Sequence, residues 1–236
     1  MTNDRVLYED NHLIVVSKPA GIATMGTEVD EPSLLQLTKE FIKEKAQKPG
    51  NVFLGVVSRI DAFVSGVLLF AKTSKAASRL SEQFRNSSVK KIYYAVLEGR
   101  PPVEGSNSGQ RGTLVSWLRK NDRLRRVESF SQPVQGAKPA ELDFEIIQTI
   151  GHLSLVKIDL KTGRKHQIRA QFSDLGCPVY GDRKYDAQET MGTQIALHSW
   201  QLTVLHPTLK KPFEFSATFP QSWRQNRKIS NLISGI

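Results

Sequence analysis

The sequence predicts an α+β fold: a mixed, mostly antiparallel sheet with flanking helices. Three observations carry that prediction. Strand-like segments outnumber helical ones along most of the chain. The helical segments fall between them without the regular strand–helix alternation of a parallel sheet. No internal repeat or low-complexity tract divides the chain, so one domain over residues 1–236 is expected. That length can bury a large core.

Residues 6–8 and 13–16 read as short strands joined by Glu9-Asp10-Asn11. Lys18-Pro19-Ala20-Gly21 breaks the pattern. Pro32-Ser33 opens a helix to about residue 47, with Leu34, Leu35, Thr38, Phe41 and Ile42 on one face, and Pro49-Gly50 stops it. Residues 52–57 and 67–71 are apolar runs that read as core strands. Between them stands Ser58-Arg59-Ile60-Asp61. Thr73-Ser74 caps a helix over 75–85 whose inner side carries Ala76, Leu80 and Phe84. Residues 89–98 form a strand that Gly99-Arg100-Pro101-Pro102 ends. The polar, Gly- and Ser-rich stretch 103–112 is expected to be a mobile loop. Strands follow at 113–118, 124–130, 141–147 and 153–160, then a short helix over 165–175. Strands return at 195–205 and 213–217, and Pro220-Gln221-Ser222 starts a last basic segment.

An excess of 33 Lys and Arg over 23 Asp and Glu gives a net charge of +10 and a pI near 9.7. Such a chain suits a polyanionic partner, nucleic acid first and an anionic membrane surface second. A lone cysteine, Cys177, excludes an intrachain disulfide and a cysteine-rich zinc site. The five histidines are not clustered with carboxylates, so no metal site is expected. Met1-Thr2-Asn3-Asp4-Arg5 lacks the apolar core of a signal peptide. No run reaches the ~18 apolar residues of a membrane span. The expectation is a monomer of the cytoplasm with no membrane partner.

Three stretches carry candidate chemistry. The first is Arg59-Ile60-Asp61, an ionisable pair between two apolar runs, followed by Ser65-Gly66. Ionisable groups in such a place are costly unless paired or used. Taken alone, the stretch fits a structural ion pair as well as a working site. The second is Thr162-Gly163-Arg164-Lys165-His166-Gln167-Ile168-Arg169, a turn leading into a helix start among cations. A phosphate would be well placed there. The third is Lys91-Ile92-Tyr93-Tyr94-Ala95. In a strand the two tyrosines point to opposite faces, so one can line a site while the other packs.

Taken together these stretches resemble the RluA-type pseudouridine synthases, over nearly the whole chain. Lys18-Pro19-Ala20-Gly21 is similar to an early Lys-Pro-Ala-Gly motif, and Arg59-Ile60-Asp61 with Ser65-Gly66 to the catalytic His-Arg-Leu-Asp-x-x-Thr-Ser-Gly motif. Lys91-x-Tyr93-x-Ala95 resembles the tyrosine motif, and Ala137-Lys138-Pro139-Ala140 a central segment. Thr162-Gly163-Arg164-x-His166-Gln167-Ile168-Arg169 with Gly176-x-Pro178-x-x-Gly181-Asp182-x-x-Tyr185 resembles the third motif, and Leu197-His198 with His206-Pro207 a late one.

The resemblance implies the pseudouridine synthase fold with a catalytic cleft, and isomerisation of specific uridines in rRNA or tRNA without a cofactor. It implies Asp61 as the catalytic aspartate and Arg59 as the arginine that helps flip the target nucleotide. Tyr93 would pack on the uracil ring, and Arg169 would pair with the aspartate. Arg164, Lys165 and His166 are expected at the RNA. Ser58 stands in place of the family's usual His, and Val64 in place of its Thr. The start of the chain leaves no room for the small S4-type RNA-binding module of many relatives, so the grip on RNA is expected from the catalytic domain's own surface. Arg119, Lys120, Arg123, Arg125 and Arg126 beside Trp117 are candidates, although solvated strand faces account for them equally. Two rivals are an idle RNA-binding protein on the same scaffold and a carboxylate-based hydrolase, which lacks a second acid near Asp61 in sequence.

Overall fold

The computed structural model describes residues 2–26, 32–47, 49–103 and 110–236. In chain order its strands and helices are β1 (Val6–Glu9), β2 (Leu13–Lys18), α1 (Leu34–Lys45), β3 (Gly55–Val56), β4 (Ser65–Ala71), α2 (Ser74–Arg85) and β5 (Lys90–Glu98). There follow β6 (Arg111–Asn121), β7 (Arg126–Phe130), β8 (Lys138–Ile150), β9 (Leu153–Leu160), α3 (Gln167–Asp174), β10 (Leu197–Leu205), β11 (Pro212–Ser216), α4 (Gln221–Gln225) and α5 (Arg227–Ile233). The expected α+β architecture is borne out. The paired strands below are antiparallel. Most of the expected loop 103–112 lies outside the described residues. No described helix is long and apolar enough to cross a membrane.

The chain divides into two compact units, Met1–Lys90 with Ser199–Thr218, and Lys91–His198 with Phe219–Ile236. In the first, β2 lies between β1 and β4, with Leu13 opposite Ala71 and Lys18 opposite Gly66. Strand β4 continues to β10, and β11 returns antiparallel on β10. Alternate side chains of β2 and β4 leave on opposite faces. Leu13, Val15, Val67 and Leu69 meet Ala76 and Leu80 of α2, while Ile14, Val16, Leu68 and Phe70 meet Leu34 and Ile42 of α1. A helix on each face explains why both strands read as unbroken apolar runs. The caps are those the sequence announces. Ser33 and Gln36 form a reciprocal capping box on α1, and Thr73 caps α2.

The run 52–57 departs from its expectation. Only Gly55 and Val56 pair with β4, while Leu54 is buried and Val52 packs against the α1-side core. Its apolar character serves side-chain burial more than a strand ladder. Ser65-Gly66 has a specific cause. Gly66 has φ +119°, and a Cβ there would stand 2.1 Å from the carbonyl oxygen of Ser199. Glycine alone tolerates both the backbone conformation and that approach.

In the second unit the strands run in the order β5-β9-β8-β6-β7. Ile92 faces Asp159, Leu142 faces Leu160, and Arg111 faces Glu145. Helix α3 packs on this sheet through Phe172, edge-on to Phe144 at 5.5 Å. Trp223 of α4 is buried and stacks on Phe219, which meets Tyr94.

Candidate active site

In the first unit the site is built around one turn. Val64 donates its N–H to the Asp61 carbonyl (3.1 Å), and Phe63 donates its N–H to Asp61 Oδ1 (3.0 Å), so the carboxylate is tied to its own turn. Arg59 and Phe63 are exposed on either side of Asp61, and Val64 and Ser65 behind it are buried. The Lys18-Pro19-Ala20-Gly21 segment fastens this turn to the sheet. Lys18 is 1% exposed, and its ammonium donates to the carbonyl oxygens of Pro19 (2.9 Å), Ile22 (2.6 Å) and Ala62 (3.0 Å). Gly21 N–H also reaches the Ala62 carbonyl (2.8 Å), and the Thr24 hydroxyl reaches that of Ile60 (2.9 Å). Burial pushes the Lys18 ammonium down to about 7, and the nearby Asp61 carboxylate works the other way.

In the second unit Tyr93 and Tyr94 divide as expected. Tyr94 is buried against Phe219, while Tyr93, across from Ile158 on β9, is half-buried. Arg169 is 2% exposed and donates from Nε and Nη2 to the two carboxylate oxygens of Asp182, with Nη2 to Oδ1 at 2.7 Å. The guanidinium carbon also lies 4.8 Å over the Tyr185 ring. The Tyr185 hydroxyl accepts from Val127 N–H (2.9 Å) and lies within hydrogen-bond distance of His166 Nδ1, also 2.9 Å away. His166 takes the left-handed conformation, φ 52°, at the cap of α3. Arg164 Nε donates to the Pro139 carbonyl (3.0 Å), and Gln167 ties the Thr162 hydroxyl to the Glu141 carbonyl. Lys165 is exposed. The third motif therefore holds a buried cluster of Arg169, Asp182 and Tyr185, in which Asp182 and Tyr185 are partners to which sequence reasoning assigned no role.

The basic hairpin β6–β7 is more neutralised than its composition suggests. Arg119 meets Glu128 (3.4 Å) and covers the Phe130 ring, Lys120 meets Asp122, and Arg126 meets Asp186 (3.0 Å). Arg123 and Arg125 are exposed at the turn, and none of the described ion pairs involves them. They are the cations of the hairpin best placed for a phosphate.

A family model described as RNA pseudouridylate synthase matches residues 12–174. The chain belongs to that family. The match takes in the Lys18 segment, the Asp61 turn, the Tyr93 strand and the start of α3, so the resemblance to the RluA-type pseudouridine synthases is borne out. The chain is similar to the ribosomal large subunit pseudouridine synthase C of Vibrio vulnificus, at 33% identity over 91% of this chain and 65% of that protein. It is 34% identical to the protein of the same name from Escherichia coli, over 86% of this chain and 63% of that one. It thus spans about two thirds of the length of these relatives. Among solved structures, human RNA pseudouridylate synthase domain containing 4 superposes with a TM-score of 0.75 at 20% identity, covering 98% of this chain and 92% of that one. That likeness shows the pseudouridine synthase fold.

Proposed function

We propose that this chain isomerises uridine to pseudouridine in RNA, with both units serving one catalytic domain. The reaction breaks the N1–C1′ glycosidic bond, turns the uracil, and joins C5 to C1′. N1 ends with a proton and C5 gives one up, so no atoms are gained or lost. Asp61 is the carboxylate that acts at the sugar, either by attack at C1′ or by proton abstraction. Tyr93 supplies a flat ring for the uracil while it is detached. Arg59 enters the space the flipped nucleotide leaves. Arg169 organises charge at the site from its place on α3. Arg164, Lys165, His166, Arg123 and Arg125 meet the RNA backbone, with Arg119, Lys120 and Arg126 behind them. No cofactor takes part.

The observation that carries this reading is the Asp61 turn: a carboxylate held by Phe63 N–H, with the buried Lys18 ammonium lacing the same turn to the sheet. The relatives are named for the ribosomal large subunit, which supports ribosomal RNA over transfer RNA as the substrate. The test uses unmodified transcripts of large-subunit ribosomal RNA and of transfer RNA, with pseudouridine read by nucleoside chromatography after digestion. Wild type is expected to convert discrete uridines in the ribosomal transcript. Asp61→Asn keeps the shape of the side chain and loses its charge. It should cut turnover about a thousandfold or more with RNA affinity nearly unchanged. Turnover within tenfold of wild type would remove Asp61 from this role.

A further inference from the structure

The Asp61 turn carries a second feature that isomerisation itself does not use. Phe63 is 41% exposed, two residues from the carboxylate, and its own N–H is bonded to Asp61 Oδ1 at 3.0 Å. The backbone around it is fixed on both sides. Ala62 offers its carbonyl to Lys18 Nζ and to Gly21 N–H, and Val64 is buried with its N–H on the Asp61 carbonyl. The phenyl ring, 41% exposed, is therefore carried on a backbone held in place by hydrogen bonds. On the other side of Asp61 stands the exposed Arg59. A guanidinium plane and an aromatic ring are the two side-chain surfaces on which unstacked RNA bases settle. Here they stand two residues to either side of Asp61 in the chain.

We propose that the Phe63 ring is a stacking seat for an unpaired nucleobase flanking the uridine that is isomerised. Extruding a uridine breaks its stacking on both neighbours. A neighbour left without a stacking partner exposes its π-face, and the exposed ring offers a replacement that is indifferent to which base it is. The seat would give this chain a preference for single-stranded or loop RNA around the target, through contact at the base and not at the phosphate. The inference rests on the isomerase reading above.

The test uses two probes of equal charge: a twelve-nucleotide oligouridylate, and a twelve-unit ribose-phosphate oligomer without bases. Phe63→Ala should bind the oligouridylate roughly tenfold to a hundredfold more weakly than wild type, as expected for loss of one stacked base. Its affinity for the abasic oligomer should equal that of wild type. Phe63→Trp should restore binding, and its added indole fluorescence should be quenched by the oligouridylate and not by the abasic oligomer. An equal loss on both probes, or no loss on the oligouridylate, overturns the seat. Turnover on the ribosomal transcript separates this inference from the reading beneath it. An active wild type with a Phe63→Ala variant of equal kcat/KM overturns the seat and keeps the isomerase. A wild type inactive on every transcript, with base-dependent binding lost in Phe63→Ala, overturns the isomerase and keeps the seat.

Discussion

Lys18 shows how one buried side chain can hold a turn together. An ammonium has three N–H donors, and three carbonyl oxygens stand within 3.0 Å of Nζ. A neutral amine has only two donors, so the saturated geometry belongs to the charged form, against the burial that pushes it down to about 7. Lys18→Met fills similar volume and leaves those carbonyls without their donor. The expected loss is about 3 kcal/mol or more of stability, read from urea unfolding. A loss below about 0.5 kcal/mol would show that the ammonium does not anchor the turn. Arg169 requires similar care. It is the bidentate partner of the buried Asp182. Removing it strands a buried carboxylate, so activity of an Arg169 variant reports folding as well as rate.

At the scale of elements, two turns can be tested separately. The β1–β2 turn is tied to the β10–β11 hairpin by Asp10. Its carboxylate accepts from the N–H groups of His12 and Leu13, both at 2.7 Å, and meets the buried His206 ring at 2.8 Å. His206 Nδ1 accepts from Thr208 and Leu209 N–H, so Nε2 carries the proton that Asp10 receives. Burial alone would raise the Asp10 pKa, but these donors outweigh it and hold the carboxyl below its usual value. A lowered folded pKa stabilises fully above the unfolded value, about 4, and the gain is lost as pH falls through the folded value. Asp10→Asn should therefore cost about 1 to 3 kcal/mol at pH 7. The gap to wild type should close as thermal unfolding is followed into acid below that window. A gap that stays constant with pH would exclude the carboxylate charge as its cause.

The β6–β7 turn is the second. Arg126 is engaged with Asp186, whereas Arg123 and Arg125 are exposed at the turn. Reversing both to Glu should flatten the salt dependence of RNA binding. Each lost phosphate contact should lower the slope of log K against log salt by roughly 0.7 to 0.9. Chemistry at saturating RNA should change far less. Binding equal to wild type at every salt concentration would leave this turn outside the RNA path and shift attention to Lys161, Arg164 and Lys165.

For the molecule as a whole, the isomerase reading predicts that turnover survives excess chelator, since the reaction needs neither redox nor phosphoryl transfer. Loss of turnover in EDTA, restored by added metal with the RNA fold unchanged, would overturn the cofactor-free mechanism. The net charge of +10 predicts only that RNA is approached quickly and in a salt-dependent way.

The sequence alone determined the class of fold, both caps, the sandwiched strands β2 and β4, and the motif positions Asp61, Tyr93 and Arg169. Each is a local signal: a capping residue, a run of apolar side chains, a spacing along the chain. It read short the strands whose ends are polar. Residues 113–118 were legible, but β6 extends over Arg111–Asn121, because the backbone ladder to β8 continues where the apolar pattern stops. It read 52–57 as a strand because burial in a core and pairing in a sheet leave the same apolar signature. Only the tertiary structure decided which partner each charge meets. Lys18 finds Ala62 across 44 residues, Arg169 finds Asp182 across 13, and Arg126 finds Asp186 across 60. A side chain's partner is chosen by distance in space and by the cost of burying a charge alone, and neither is written in spacing along the chain.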